Sequence, residues 1–169
     1  MKLFIRAEQP DDFDAIDQVN RLAFGQEGEA LLIRAIRAAD GFDPSLSRIA
    51  VLDDGIVGHI LFSAIYIEDG STRHHALALA PMAVHPNHQR RGIGSQLVRD
   101  GLAACKSAGH QVVVVLGHPE FYARFDFLPA NEHGIAAPFD VPDDAFLVQA
   151  LIPDGRNRMH GIVRYPSVS

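Results

Sequence analysis

The sequence predicts a mixed α/β fold in one domain spanning residues 1–169, with elements in the order β-α-α-β-β-β-α-β-α-β-β. Three observations predict it. A chain of 169 residues suits a single domain and is long enough to bury a real core. Two stretches with helical apolar spacing precede a meander of strands and turns. In mid-chain a strand, a glycine-bearing loop and a helix lead into Val112-Val113-Val114-Val115-Leu116. Such a run is typical of a strand buried on both faces, and strand, helix, buried strand is the pattern of a parallel βαβ unit.

Leu3–Ala7 is a short apolar strand. Pro10-Asp11-Asp12 then suits a helix start, and Phe13, Ile16, Val19 and Phe24 mark a helical stripe. Gly25-Gln26-Glu27-Gly28 is a flexible break. A second helix covers Gly28–Ala39, with Leu31, Leu32, Ala35, Ile36 and Ala39 as its apolar face, and Asp40-Gly41 stops it. Arg48–Asp53 and Ile56–Glu68 read as strands around an Asp54-Gly55 turn. Asp69-Gly70 turns the chain again, and Leu77–Val84 returns as a third strand. After the polar loop His85–Arg91, a helix carries Ile93, Leu97, Gly101 and Cys105 at a spacing of four, and Gly109 caps it. Gln111–Leu116 is the buried strand. Pro119 opens a short helix bearing Phe121, Tyr122 and Phe125. Ala145–Ile152 and Met159–Tyr165, joined across Pro153-Asp154-Gly155, suit a closing hairpin.

Composition excludes several classes. The net charge of −6 argues against a broad nucleic-acid surface and favours a cationic partner such as an amine. The single cysteine, Cys105, excludes an internal disulfide framework and a multi-cysteine zinc site, and it falls on the apolar stripe of its helix. His74-His75 and His85-x-x-His88 have no carboxylate or cysteine at ligand spacing, so no metal is expected. The opening Met1–Arg6 is too short for a signal peptide, and no apolar stretch approaches the ~18 residues of a membrane helix. A cytoplasmic monomer or homodimer, with no nucleic-acid or membrane partner, is expected.

The chemistry concentrates in Gln89-Arg90-Arg91-Gly92-Ile93-Gly94-Ser95. Two glycines let the backbone curl around a bulky group. The first amides of the following helix have no internal partner, and with the positive end of the helix dipole they make an anion site suited to a pyrophosphate. Arg90 and Arg91 add charge that binds phosphate bidentately. A P-loop would need Gly-Lys-Ser/Thr, which is absent. A dinucleotide fingerprint would need a third glycine where Leu97 stands.

With these residues the chain resembles the GNAT superfamily of N-acetyltransferases. The superfamily's signature, Gln/Arg-x-x-Gly-x-Gly/Ala, is met by Gln89, Gly92 and Gly94, and its element order matches across nearly the whole chain. The segment Gly117-His118-Pro119-Glu120-Phe121-Tyr122-Ala123-Arg124-Phe125-Asp126-Phe127 is similar to a bacterial subgroup of predicted N-acetyltransferases, with Asp126 where that subgroup usually has glycine. The resemblance implies acetyl-CoA as cosubstrate, with its pyrophosphate on Gln89, Arg90, Arg91, Gly92, Ile93, Gly94 and Ser95. It implies that the two parallel strands splay, so that the pantetheine arm pairs with backbone near Met82, Ala83 and Val84. Pro81 fits a strand edge or bulge there.

Transfer to an amine needs a proton taken from nitrogen and one given to the leaving thiolate. The resemblance assigns the acid to Tyr122. The strand before the signature, Leu77-Ala78-Leu79-Ala80, lacks the glutamate that some members use as base, so the base is either another residue or an ordered water. Glu29 is the first candidate, either as base or as holder of a cationic substrate; the plainer reading is a solvated helix-start residue. His74, His75 and Glu68 are weaker candidates. The expected function is direct acetyl transfer to an amine of a small molecule or a protein. Two alternatives stay open: a non-catalytic acyl-CoA-binding module, and O-acyl transfer. Acceptor choice is expected in Gln26–Leu32, the Glu68–His75 turn and the Asn131–Asp144 loop.

Overall fold

The computed structural model describes residues 2–153 and 160–166. Met1, Met159 and the turn residues Asp154 and Gly155 of the expected closing hairpin lie outside the described residues. The architecture is mixed α/β with a mostly antiparallel sheet. The chain forms two compact units, one of residues 2–63 and 80–104, the other of 64–79, 105–153 and 160–166.

In the first unit β1 (Leu3–Ala7) pairs antiparallel with β2 (Ser47–Leu52), and β2 pairs antiparallel with the start of β3 (Gly55–Asp69). Asp53 and Asp54 take φ of +49° and +69° in the tight turn between them, a conformation that acidic and amide side chains tolerate. α1 (Phe13–Phe24) buries Ile16 and Val19 and stops at Gly25, whose φ of +69° lets its amide reach the Arg21 carbonyl at 2.8 Å. α2 (Gly28–Ala38) follows.

The face that α2 buries shares Ile36 with the expected one but is turned away from Leu31 and Leu32. Ala30, Ile33 and Ile36 are buried, whereas Leu31 and Leu32 are 55% and 36% exposed. The physical reason is Arg37. Its guanidinium makes two hydrogen bonds to the buried Glu8 carboxylate, at 2.9 and 3.0 Å, and lies 3.8 Å over the Phe13 ring. Arg37 stands four residues after Ile33 and seven after Ala30, so turning it inward brings that stripe with it. A buried carboxylate left without its cation would cost more than two exposed leucines.

Glu8 heads a buried polar chain. It accepts a hydrogen bond from Ser47 Oγ, which lies 3.0 Å from His59 Nε2; His59 Nδ1 lies 3.3 Å from Asn20 Nδ2. His59 is fully buried. Desolvation, with Arg37 adding to it, pushes its imidazole down to about 3. The unfolded ring takes a proton near pH 6.5, whereas the folded ring resists until about pH 3. This contribution to stability is therefore complete above pH 6.5 and is lost as pH falls below it. The expected loss by pH 5 is ~2 kcal/mol. Urea unfolding at pH 7 and pH 5 checks this, and His59→Gln should flatten the dependence over that range.

In the second unit the starting half of β4 (Thr72–Val84) pairs parallel with β5 (Val112–Leu116) through Leu77↔Val113 and Ala78↔Val114. β4 begins five residues before the expected Leu77, because the turn at Gly70 keeps the polar Thr72–His75 in the ladder. β8 (Phe146–Ala150) takes the other edge of β5 along all its residues and pairs in turn with β6 (Leu128–Pro129). β9 (Gly161–Arg164) adds antiparallel to β3 at Tyr66–Glu68 and carries the two-residue β7 (Ile135–Ala136).

The expected closing hairpin therefore does not form, since β8 and β9 have different partners. β5, whose Val112–Val115 are at most 3% exposed, needs a full-length neighbour on the edge that β4 leaves open, and β8 supplies it. Gly161 lets β9 press onto β3. It has a φ of +134°, and a Cβ there would fall 2.6 Å from the Glu68 carbonyl carbon. α3 (Ile93–Ser107) and α4 (Pro119–Tyr122) complete the helices. Among the described residues no helix is long and apolar enough to cross a membrane.

Candidate functional site

The loop Gln89–Ser95 joins the end of β4 to α3, all within the first unit. Its shape follows from three residues. Gln89 Nε2 donates to the Val84 carbonyl at 3.0 Å, which folds the loop back on the strand. Arg90 and Gly92 take φ of +65° and +82°, the second at no steric cost. The Gly92 carbonyl accepts from Gln96 N at 3.1 Å, the first bond of the helix ladder. The amides of Ile93, Gly94 and Ser95 therefore precede the ladder and are available to an outside acceptor.

The strand end and the loop meet. A Cβ built on Gly94 would stand 3.5 Å from Met82 Cε and 3.8 Å from Val84 Cγ2, while one on Gly92 would meet nothing within 4 Å. Met82, Val84, Gly94 and Ser95 are half-buried. Ala83 and Ile93 are buried. Gln89, Arg90, Arg91 and Gly92 are exposed. The result is a glycine-bearing turn that leads three helix-start amides into a 15-residue helix, with two exposed arginines just before it. Its chemistry suits a diphosphate, and its open side at Gly92 leaves room for a bulky one.

Glu29 lies in the first turn of α2, in the same unit. Gln26 Nε2 donates to both of its carboxylate oxygens, at 3.1 and 3.2 Å, so Gln26 closes the helix start over it. Among the described residues no cation neutralises it. Tyr122 ends α4 in the second unit, so its surroundings are described apart from the loop. It is 8% exposed, and edge-on contacts with Phe121 and Phe127 at 4.9 and 5.4 Å hold its ring. Gly117 makes room for it, since a Cβ there would lie 2.5 Å from Tyr122 Cε2. Burial pushes the phenol up to about 12, so it keeps its proton at neutral pH.

Asp126, where the related subgroup has glycine, adopts φ +65° and ψ +22° and makes the turn that glycine would make. Sequence reasoning missed the buried Glu8–Ser47–His59–Asn20 chain. Its one signal was His59 standing alone among apolar residues of a strand.

Residues 4–130 match the acetyltransferase (GNAT) domain model. The chain belongs to the GNAT acetyltransferase family. Among its GNAT relatives is the uncharacterized N-acetyltransferase YhbS of Escherichia coli strain K12, 33% identical over 164 residues and 96% of each chain. Another is YjhQ of the same strain, also an uncharacterized N-acetyltransferase, 36% identical over 83% of this chain and 81% of that one. The crystal structure of E. coli YhbS in complex with CoA superposes with a TM-score of 0.90 at 32% identity, over 98% of this chain and 91% of that one. A GNAT acetyltransferase of Brucella melitensis in complex with acetyl-CoA gives 0.80 at 32% identity, over 99% and 97%. The GNAT fold expected from the sequence is the fold observed, and the protein is an acetyltransferase.

Proposed function

We propose that the protein binds acetyl-CoA at Met82–Val84 and Gln89–Ser95 and passes the acetyl group directly to the nitrogen of an amine. The observation that carries this is the row of helix-start amides at Ile93, Gly94 and Ser95 beside Met82. CoA and acetyl-CoA in the E. coli and B. melitensis relatives support it. We read residues 1–169 as one acetyltransferase domain, with β3, β4 and α3 each running through both compact units. We assign it to the cytoplasm, a single cysteine suiting a reducing compartment.

In this reading the amine nitrogen attacks the thioester carbonyl, the carbon–sulfur bond breaks, and the CoA thiolate leaves. Tyr122 gives its phenolic proton to that sulfur and takes one back from solvent as CoA leaves. The proton released by nitrogen goes to Glu29 or through it to solvent. Glu29→Gln keeps the size and the contact with Gln26 but removes the charge. Turnover of the amine is expected to fall about ten-fold while acetyl-CoA affinity is unchanged. Steady-state kinetics across pH check this, and an unchanged profile removes Glu29 from the site. The activity itself is tested by a screen of primary amines with free-thiol detection. Thiol release that depends on both amine and acetyl-CoA supports transfer. Binding without release for every amine supports an acyl-CoA-binding module instead.

A further inference from the structure

We infer that a cavity at the start of β4, apart from the acetyl-CoA loop in sequence, is a binding site for the phosphate group of a small metabolite. The cavity has a volume of about 320 Å³ and lies within the second unit. Arg73, His74 and His75 line it from β4, and Gly109, His110 and Gln111 line it from the turn between α3 and β5. None of the six is a carboxylate. A guanidinium, three imidazoles and an amide line one pocket of a chain whose net charge is −6. That arrangement complements an anion.

Among the described residues, Arg73 belongs to an ion-pair group with an excess of cations. Glu68 lies 3.6 Å from both Arg73 and Arg164, so one carboxylate is shared by two guanidiniums and the trio carries a net positive charge. Arg73 lies 5.0 Å over the Tyr66 ring, and the same ring meets His75 at 5.1 Å, so one aromatic side chain orders two of the donors. The nearby end of α3 would oppose an anion through its carbonyls. Two of these are already turned inward: Gly109 N donates to the Lys106 carbonyl at 3.0 Å and His110 N to that of Cys105 at 3.1 Å. Gly109, with φ of +92° and nothing within 4 Å of where a Cβ would stand, leaves the pocket mouth open.

The number of donors selects the ligand. A carboxylate offers about four acceptor positions on two oxygens in one plane. A phosphate group presents three terminal oxygens in a tetrahedral arrangement, which suits a guanidinium fork with imidazole and amide donors around it. Free phosphate and a phosphate monoester share this chemistry, and the volume admits either.

The test uses the full chain saturated with CoA, so that the loop Gln89–Ser95 is occupied. Inorganic phosphate, glycerol phosphate and malonate are titrated separately at constant ionic strength while the histidine ring signals are followed by NMR. Saturable shifts of His74, His75 and His110 are expected with both phosphates, with malonate weaker. The tighter of the two phosphates identifies free ion or ester. Arg73→Gln, at a side chain 59% exposed, and His74→Gln are expected to keep the circular dichroism spectrum. Each should weaken phosphate binding by about ten-fold. Unsaturable or absent shifts at these three rings, malonate binding as tightly, or unaltered affinity in both variants would overturn the assignment. Because the readout is local to these rings, it stands even if CoA fails to occupy the loop.

Discussion

Gly94→Trp is expected to abolish acetyl-CoA binding while the chain stays folded. The geometry supplies both halves of that result. A Cβ on Gly94 makes only ordinary contacts with Met82 and Val84, at 3.5–3.8 Å, so the backbone need not move and Gly94→Ala should bind nearly as well as the parent. An indole at the same position crowds the helix-start amides. An affinity loss of about a hundredfold or more, ~2.7 kcal/mol, follows from removing the diphosphate contacts. Gly92→Val acts differently. Its Cβ meets nothing, but its φ of +82° costs a β-branched residue ~1–2 kcal/mol. It should distort the loop and weaken binding with some loss of stability. The check is the shift of melting temperature with acetyl-CoA, which reports binding to the folded state.

Tyr122→Phe is expected to lower turnover about ten-fold or more with melting temperature nearly unchanged. A positioned acid typically contributes 10²–10⁴-fold; the smaller figure allows for water replacing the donor and for thiolate being a fair leaving group unaided. The packing makes the variant a clean test. The ring is held by Phe121, Phe127 and the Gly117 backbone, none of which needs the hydroxyl. Among the described residues no protein hydrogen bond to that hydroxyl is formed. With the phenol pushed up to about 12, its ionisation should not appear in the pH profile of the parent enzyme below pH 10. Full activity in Tyr122→Phe would make the ring a core aromatic, and loss of folding would do the same.

Local signals in the sequence are legible where one residue type has one physical use. Gly109 follows the end of α3 with positive φ, which glycine accepts at no steric cost. Val112–Val115 form a doubly buried strand because nothing else suits four consecutive valines in this setting. Gln89 and Gly92 show as loop formers before α3, the one donating to the Val84 carbonyl and the other taking φ of +82°. What was not legible depends on partners distant in the chain. The inward face of α2 is set by Arg37 meeting Glu8, 29 residues away, and no periodicity in Gly28–Ala39 announces it. The fate of β8 and β9 is set by which sheet edges stand open, which a hairpin signal cannot convey. β6 and β7, two residues each, are too short to leave any pattern.

The backbone amides of Ile93, Gly94 and Ser95 offer the most direct test of the acetyl-CoA assignment. In an NMR titration of the unmodified chain with acetyl-CoA, these three amides are predicted to shift downfield, saturating at one equivalent, as hydrogen bonds to the diphosphate form. Binding at one equivalent that leaves all three unmoved would place the cofactor elsewhere and contradict the account.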